Sequence, residues 1–275
     1  LQRGGKSGEF WWKYAFDVAE GIGYFLGSMR SISIELVPRD WETLRTQFAE
    51  ISTRFPQINV LNIPDLMRFS IRSWEGCAVG KEYFPKVIPH LRAIDFNLRE
   101  RFGLADRLAE LDIQSVLVIT GDLPQDMSRR VYRNSSLELI RVLKKEAPKL
   151  EVFAGIDPYR SSLRAELDYA QAKMDAGADG FFTQPFFDLR LLDIYMEHIS
   201  LKSVFWGVCP VTSEKGRAYW ESKNLAVFPK DYGLGLDANV GFARELIRRV
   251  WAREGNVYFM PIRAEPVSYL AQVLS

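Results

Sequence analysis

Two carboxylates in this chain stand where an apolar run is about to end, a position from which a folded chain can hold an acid partly away from water. Glu35 interrupts Ile32-Ser33-Ile34-Glu35-Leu36-Val37, just ahead of Pro38. A carboxyl group in such a run loses hydration unless it is paired, so its proton affinity rises and it suits general-acid chemistry. A structural ion pair with an arginine is the other use of the same residue. Asp122 follows Val116-Leu117-Val118-Ile119-Thr120-Gly121. Gly121 permits an unusual backbone and close approach of a ligand, although an aspartate after glycine is also an ordinary turn residue. Gln184 lies in Phe181-Phe182-Thr183-Gln184-Pro185-Phe186-Phe187-Asp188. Its amide can pair bidentately with the edge of a heteroaromatic ring, and Phe186 and Phe187 can flank a flat ligand. The same residues also read as an aromatic core cluster with one satisfied amide.

Other chemistries find less support. His90 ends the third apolar run, and His198 reads as a surface residue of a helix; these are the two histidines of the chain. Neither falls in a Ser-His-Asp or Cys-His set, and with Cys77 and Cys209 far apart there is no metal spacing, so no bound metal is expected. Two separated cysteines point to a reducing, cytoplasmic setting. A formal net charge of +1 argues against nucleic acid or an anionic membrane as partner. Residues 10–26 are rich in aromatics, but Lys13, Asp17, Glu20, Gly21 and Gly23 break them up. An amphipathic helix within an N-terminal extension, 1–30, is expected there rather than a membrane span.

The elements that must position these residues are legible as an alternation. Apolar runs rich in β-branched residues occupy 31–36, 58–63, 87–91, 115–120, 151–156, 180–184, 203–208 and 257–262. Runs without polar alternation mark strands buried on both faces, the pattern of a parallel sheet covered by helices. Between them lie segments of helical period, clearest at 99–111, 137–145, 163–176 and 241–253. Eight strand–helix alternations in this length, with a hydrophobic fraction of 47% and a charged fraction of 26%, predict one closed (β/α)8 barrel, a TIM barrel, over 31–275. No glycine-rich phosphate fingerprint follows the first run, which disfavours a dinucleotide-binding open sheet. In a barrel of this kind chemistry sits at the carboxyl ends of the strands, where Glu35, His90, Asp122 and Gln184 all fall.

In this order the strand-end motifs resemble the methylenetetrahydrofolate reductase family. The matching pieces are Ile34-Glu35-Leu36-Val37-Pro38, Pro89-His90-Leu91-Arg92-Ala93-Ile94-Asp95, Gly121-Asp122-Leu123-Pro124, Lys173-Met174-Asp175-Ala176-Gly177-Ala178-Asp179, Thr183 to Asp188, Gly207-Val208-Cys209-Pro210-Val211 and Arg263-Ala264-Glu265. The resemblance implies FAD lying across the strand ends, reduced by NADH or NADPH, and hydride then passed to 5,10-methylenetetrahydrofolate to give 5-methyltetrahydrofolate. It assigns Glu35 as the acid that opens the methylene-bridged ring and Asp122 as a charge beside the pterin and the flavin. It places the flavin against His90, Thr120, Gly121, Asp122, Asp157, Glu166, Lys173 and Ala178. The folate falls against Glu35, Asp122, Gln184, Phe187 and Arg263.

The chain also departs from that pattern. The loop after the second run reads Asn62-Ile63-Pro64-Asp65 where the family has a Thr-Tyr-Gly-Ala-type sequence, and Thr120 replaces an arginine before Gly-Asp. The segment after the fifth run is shortened to Gly155-Ile156-Asp157-Pro158. On the next helix the positions reaching flavin phosphates read Glu166, Tyr169 and Ala172, with Lys173 kept. Such changes resemble the reductase-like domains paired with methyltransferases. They leave two further readings: a folate enzyme that dispenses with flavin or oxidises methyl-folate, and a non-catalytic subunit that docks on a methyltransferase or electron-transfer protein. A homo-oligomer is compatible with each.

Overall fold

All eight apolar runs become strands, and each hydrogen-bonds in parallel to the next until the eighth closes on the first. The computed structural model describes residues 30–100, 102–124, 130–199 and 203–275. The N-terminal helix expected within 1–30 lies outside the described residues, save for Arg30. The strands are β1 Ile32–Glu35, β2 Val60–Ile63, β3 Lys86–Arg92, β4 Ser115–Ile119, β5 Glu151–Ile156, β6 Gly180–Pro185, β7 Val204–Val208 and β8 Asn256–Phe259. Among the described residues nine α-helices accompany them: α1 Trp41–Arg54, α2 Ser73–Gly80, α3 Leu104–Glu110, α4 Ser136–Glu146, α5 Leu163–Asp175, α6 Leu189–His198, α7 Glu214–Asn224, α8 Leu236–Ala252 and α9 Pro266–Val273. The segment 99–111 forms a helix only from Leu104, because Asn97 turns the chain through Arg99 and Glu100 before Gly103. The segment 241–253 belongs to a helix that starts earlier, at Leu236.

Helix starts follow local chemistry. Asp40 accepts from the Thr43 amide at 2.7 Å to open α1, Ser135 and Glu138 form a reciprocal capping box at α4, and Ser162 and Ser213 cap α5 and α7. Leu44, Phe48 and Ile51 of α1, at helical spacing, are the residues it buries against the strands. Helices that follow strands begin near the strands' carboxyl ends, so this face of the barrel gathers helix amino termini as well as strand-end side chains.

The interior is packed beneath that face. Phe182 and Phe205 stack with centroids 4.2 Å apart, and Phe153 meets both edge-on. Below them Lys86 pairs with Glu151 at 2.5 Å, and Ser115 donates to the same carboxylate at 2.6 Å. An aromatic plug above an ion pair therefore forms the floor, and strand-end polar groups stand above it. β6 and β7 approach closely: a Cβ on Gly207 would lie 2.6 Å from the Thr183 carbonyl and 2.9 Å from the Gln184 carbonyl carbon. The β6–β7 register slips between Phe182 and Pro185, the stretch that carries Gln184. Gly207→Ala is therefore expected to cost about 2 kcal/mol by overpacking, read as a lower urea midpoint. A midpoint equal to wild type would show that the two strands can part freely.

Candidate active site at the carboxyl ends of the strands

A cavity of about 580 Å³ opens at the carboxyl ends of the strands. It is lined from β1 by Glu35, from β3 by His90 and Arg92, from β4 and its loop by Thr120, Gly121 and Asp122, and from β6 by Gln184. Tyr258 and Met260 close it on the β8 side, and Lys223, Asn224 and Leu225 at the end of α7 reach its mouth. The size is that of a small-molecule site.

Glu35 sits at its base. Ser33 registers with Tyr258, so Glu35, two residues on, shares the inward face with that tyrosine. The Tyr258 hydroxyl donates to Glu35 Oε2, and His90 Nε2 lies 3.9 Å from the same oxygen. Burial pushes the Glu35 carboxyl up to about 7, with the tyrosine bond pulling the other way. Burial also drives His90 down to about 3, so the imidazole is neutral and is no counter-ion. Its tautomer follows from its neighbours: Ser33 Oγ donates to Asn62 Oδ1 at 2.6 Å, which turns Asn62 Nδ2 towards His90 Nε2 at 3.2 Å. Nε2 accepts, and the ring proton is on Nδ1. The arginine partner that sequence left open for Glu35 is not found among the described residues; a tyrosine takes that place. Glu35 is thus an acid whose two protonation states are both populated near neutrality.

The β3–β4 side carries charge. Asp122 is exposed at the rim, and its carbonyl accepts from the Arg92 guanidinium at 2.6 Å. A Cβ at Gly121, where φ is +90°, would lie 2.7 Å from Arg92 Nε, so only glycine leaves room for that side chain. Arg92 comes from β3, register partner of Ile119 on β4. It brings a guanidinium beside the strand end where Thr120 stands in place of the family's arginine. Behind it Arg72 pairs with Asp65 and lies 3.8 Å from Asp95, itself 3.5 Å from Arg92 Nε. Burial raises the Asp65 carboxyl, and Arg72 opposes that.

The third wall belongs to β5 and α5. Glu166 and Lys173 are both nearly inaccessible, 1% and 2% exposed. Glu166 accepts from the Asp157 amide at 3.1 Å and from Arg160 at 2.6 Å, and Lys173 Nζ lies 3.8 Å away. Lys173 also donates to the Gly155 carbonyl at 2.6 Å and sits 4.0 Å from the Tyr169 ring centroid. Burial lowers Lys173 to about 8, Glu166 partly offsets this, and the Arg160 charge adds to the lowering. Burial raises the Asp157 carboxyl. Two cations thus share one buried carboxylate, and Asp157, Arg160 and Lys173 face the cavity while Glu166 stands behind them.

Four residues named from the sequence lie elsewhere. Ala178 precedes β6, at the amino-terminal end of the strands, buried among core residues. Phe187 is wholly buried, stacks on Phe228 at 4.4 Å and on Tyr159 at 6.1 Å, and does not line the cavity. Arg263 is exposed at φ +62°, its guanidinium 4.5 Å from the Tyr219 ring centroid, and it does not line the cavity. Phe186 likewise packs on Tyr195 and Trp206 in the outer core. Gln184 does face the cavity, and among the described residues no hydrogen-bond partner holds its amide. Tyr258, Asn62, Arg92 and Arg160 were missed as site residues. Arg92 lay inside a quoted motif, and a hydroxyl-bearing ring on an inward position of the eighth run was the signal for Tyr258.

A family model described as methylenetetrahydrofolate reductase matches residues 77–222. A 5,10-methylenetetrahydrofolate reductase of Buchnera aphidicola subsp. Schizaphis graminum is 26% identical over 150 residues, 52% of this chain and 50% of that protein. One from Pectobacterium carotovorum subsp. carotovorum is 28% identical over 103 residues, 37% of this chain and 35% of that one. The match therefore spans half or less of these curated relatives' length. Among solved structures, an uncharacterized Clostridium thermocellum protein, described as binding two copies of 5-methyl-5,6,7,8-tetrahydrofolic acid, superposes with a TM-score of 0.58 at 14% identity, over 88% of this chain and 93% of that one. A 2,3-dimethylmalate lyase of the PEP mutase/isocitrate lyase superfamily gives 0.54 at 11% identity, over 89% and 79%. At these identities the likeness is one of fold.

The Glu35 environment has a consequence for stability. With its native value raised to about 7, the folded protein holds a proton that the unfolded chain releases near the ordinary glutamate value, so this contribution is present in acid and lost as pH rises through about 7. Against Glu35→Gln, the wild type should lose up to roughly 3 kcal/mol between about pH 4.5 and about pH 8. Denaturation curves that stay parallel over that range would contradict the burial of an ionisable Glu35.

Proposed function

The chain belongs to the methylenetetrahydrofolate reductase family, and on that premise we propose that it reduces a one-carbon-loaded tetrahydrofolate, 5,10-methylenetetrahydrofolate to 5-methyltetrahydrofolate, with hydride that originates on NADH or NADPH. The observation that carries the reading is the Glu35 carboxyl, at the cavity base with its side chain 13% exposed, held by the Tyr258 hydroxyl and raised by desolvation to about 7. An acid of that strength gives up a proton readily near neutrality and is still substantially protonated there. Opening the methylene-bridged ring to its reactive iminium needs a proton on the departing ring nitrogen, and Glu35 supplies it. The Gln184 amide, without a hydrogen-bond partner among the described residues, takes the pterin edge, and the exposed Asp122 carboxylate at the rim stabilises positive charge as the iminium forms. Neutral His90 adds no competing charge beside the acid. The Clostridium thermocellum protein that shares the fold, and binds 5-methyl-5,6,7,8-tetrahydrofolic acid, supports a reduced folate as the ligand class.

The FAD that the family implies is compatible with the residues present. Thr120, Gly121 and Asp122 line the cavity at the end of β4, and Arg160 with Lys173 offers two cations against one carboxylate for a diphosphate. FAD, when bound, supplies hydride transfer between a reduced nicotinamide and the folate. One observation favours a second reading: Glu166 engages both Arg160 and Lys173. A site whose cations are already paired suits a folate enzyme that takes hydride from the nicotinamide directly, without a resident flavin.

Anaerobic oxidation of NADH or NADPH driven by 5,10-methylenetetrahydrofolate, with 5-methyltetrahydrofolate as product, is the expected activity. Glu35→Gln should lower its turnover by roughly 10²-fold or more while leaving ligand binding near wild type. No nicotinamide consumption with either donor, or full activity in Glu35→Gln, would overturn the reading. Titration with FAD, followed by quenching of its fluorescence, separates the two forms. If the diphosphate is held by protonated Lys173, affinity should fall roughly tenfold from about pH 7 to about pH 9, and Lys173→Met should flatten that dependence. Absence of saturable FAD binding in an active protein would select the direct-transfer form.

A further inference from the structure

The proposed chemistry uses Glu35 but leaves unexplained how one of its two oxygens, rather than the other, comes to present the proton. Tyr258 is buried at the midpoint of the barrel wall, 223 residues away in sequence, and its ring packs edge-on against Phe182 with centroids 5.0 Å apart. Its hydroxyl has Glu35 as its hydrogen-bond partner among the described residues. If the hydroxyl accepted from Glu35, its own proton would be buried without an acceptor, which is costly. It therefore donates. Burial and the neighbouring Glu35 charge push the phenol well above its ordinary value, so it remains a donor throughout the working range.

Other groups around Glu35 do not compete for that role. His90 on β3 is neutral, with Nε2 already accepting from Asn62 on β2. Cys209, just past β7, is pushed up to about 12 by burial and stays a thiol. Asp65, lining the same cavity from the loop after β2, is bound to Arg72. Asp122 and Gln184 face the cavity from β4's loop and β6.

We propose that Tyr258 is a positioning residue for the Glu35 acid: its hydroxyl occupies Oε2 and so confines the transferable proton to Oε1, the oxygen left for the ligand. This deepens the folate-reduction reading and rests on it. The step balances simply. The Glu35 Oε1–H bond breaks as the proton passes to the departing ring nitrogen of the folate. The Tyr258 O–H bond stays intact and strengthens its hold on the carboxylate that results.

Tyr258→Phe tests this, because the ring that packs on Phe182 is kept and only the donor is removed. Loss of a hydrogen bond that favours the carboxylate should raise the basic limb of the turnover–pH profile by about one unit. On the plateau, kcat should fall about tenfold with the folate KM nearly unchanged, the mark of a contact that matters in the transition state. A residue that merely filled space would leave the limb in place. The carbonyl stretch of protonated Glu35, identified by its loss in Glu35→Gln, gives a second readout by infrared difference spectroscopy on the ligand-free protein. Its titration midpoint should move up by the same amount in Tyr258→Phe. A midpoint that stays put or moves down overturns the pairing, whatever the activity. A midpoint that moves up in a protein whose wild type reduces no methylene-folate leaves the pair standing and removes the functional reading instead.

Discussion

The partial removal of one carboxyl group from water, at the strand-end face of a filled barrel where a cavity of about 580 Å³ opens, is the constraint on which the rest of the site depends. Phe153, Phe182 and Phe205 close the barrel beneath Glu35, and β1 and β8 meet so that Tyr258 stands beside it. A carboxylate at that depth would be costly without a counter-charge, and the structure supplies none at contact distance among the described residues. His90 is neutral and Tyr258 only donates. The group therefore keeps its proton to near neutrality, which makes it an acid in a place where most glutamates would be bases.

Around that acid the cavity divides its work between two sides. Towards β6 and β8 it offers few charges: a free amide on Gln184, the Met260 side chain and the aromatic floor. Towards β3, β4 and β5 it is heavily charged, with the lining cations tied to a carbonyl or a carboxylate: Arg92 to the Asp122 carbonyl, Arg160 and Lys173 to Glu166. A flat neutral ring suits the first side, and an anionic tail suits the second. The tied cations also set the terms for any dinucleotide. Each must be shared with its present partner, so binding there is weaker per charge than at free arginines.

Much of this was legible in the sequence, for reasons that can be named. The eight strands were visible because a parallel barrel buries both faces of each, leaving apolar runs without alternation. Glu35 stood out because it broke such a run, and Gly121 because glycine permits an unusual backbone, which the structure shows as φ +90°. Tyr258 was passed over because its meaning comes from a partner 223 residues away: its ring stood at an inward position of the eighth run, but nothing local says what its hydroxyl would meet. Arg92 was hidden inside a motif read for its histidine. The cation beside Thr120 comes from the neighbouring strand, as Arg92, a placement that sheet register makes easy and sequence order conceals. Ala178 and Phe187 show the converse. Ala178 was assigned by motif alone and lies at the opposite end of the barrel, while Phe187, read as a flank for a flat ligand, is engaged in stacking with Phe228.

The most direct test of an acid poised beside a reduced folate is calorimetric. 5-Methyltetrahydrofolate should be titrated into wild type and Glu35→Gln from about pH 6 to about pH 8, in buffers of different ionisation enthalpy that report proton uptake. Wild type should bind saturably, with a proton linkage centred near the Glu35 value of about 7, and Glu35→Gln should bind without that linkage. No saturable binding, or an identical proton linkage in both proteins, would contradict a folate site built on the buried Glu35 acid.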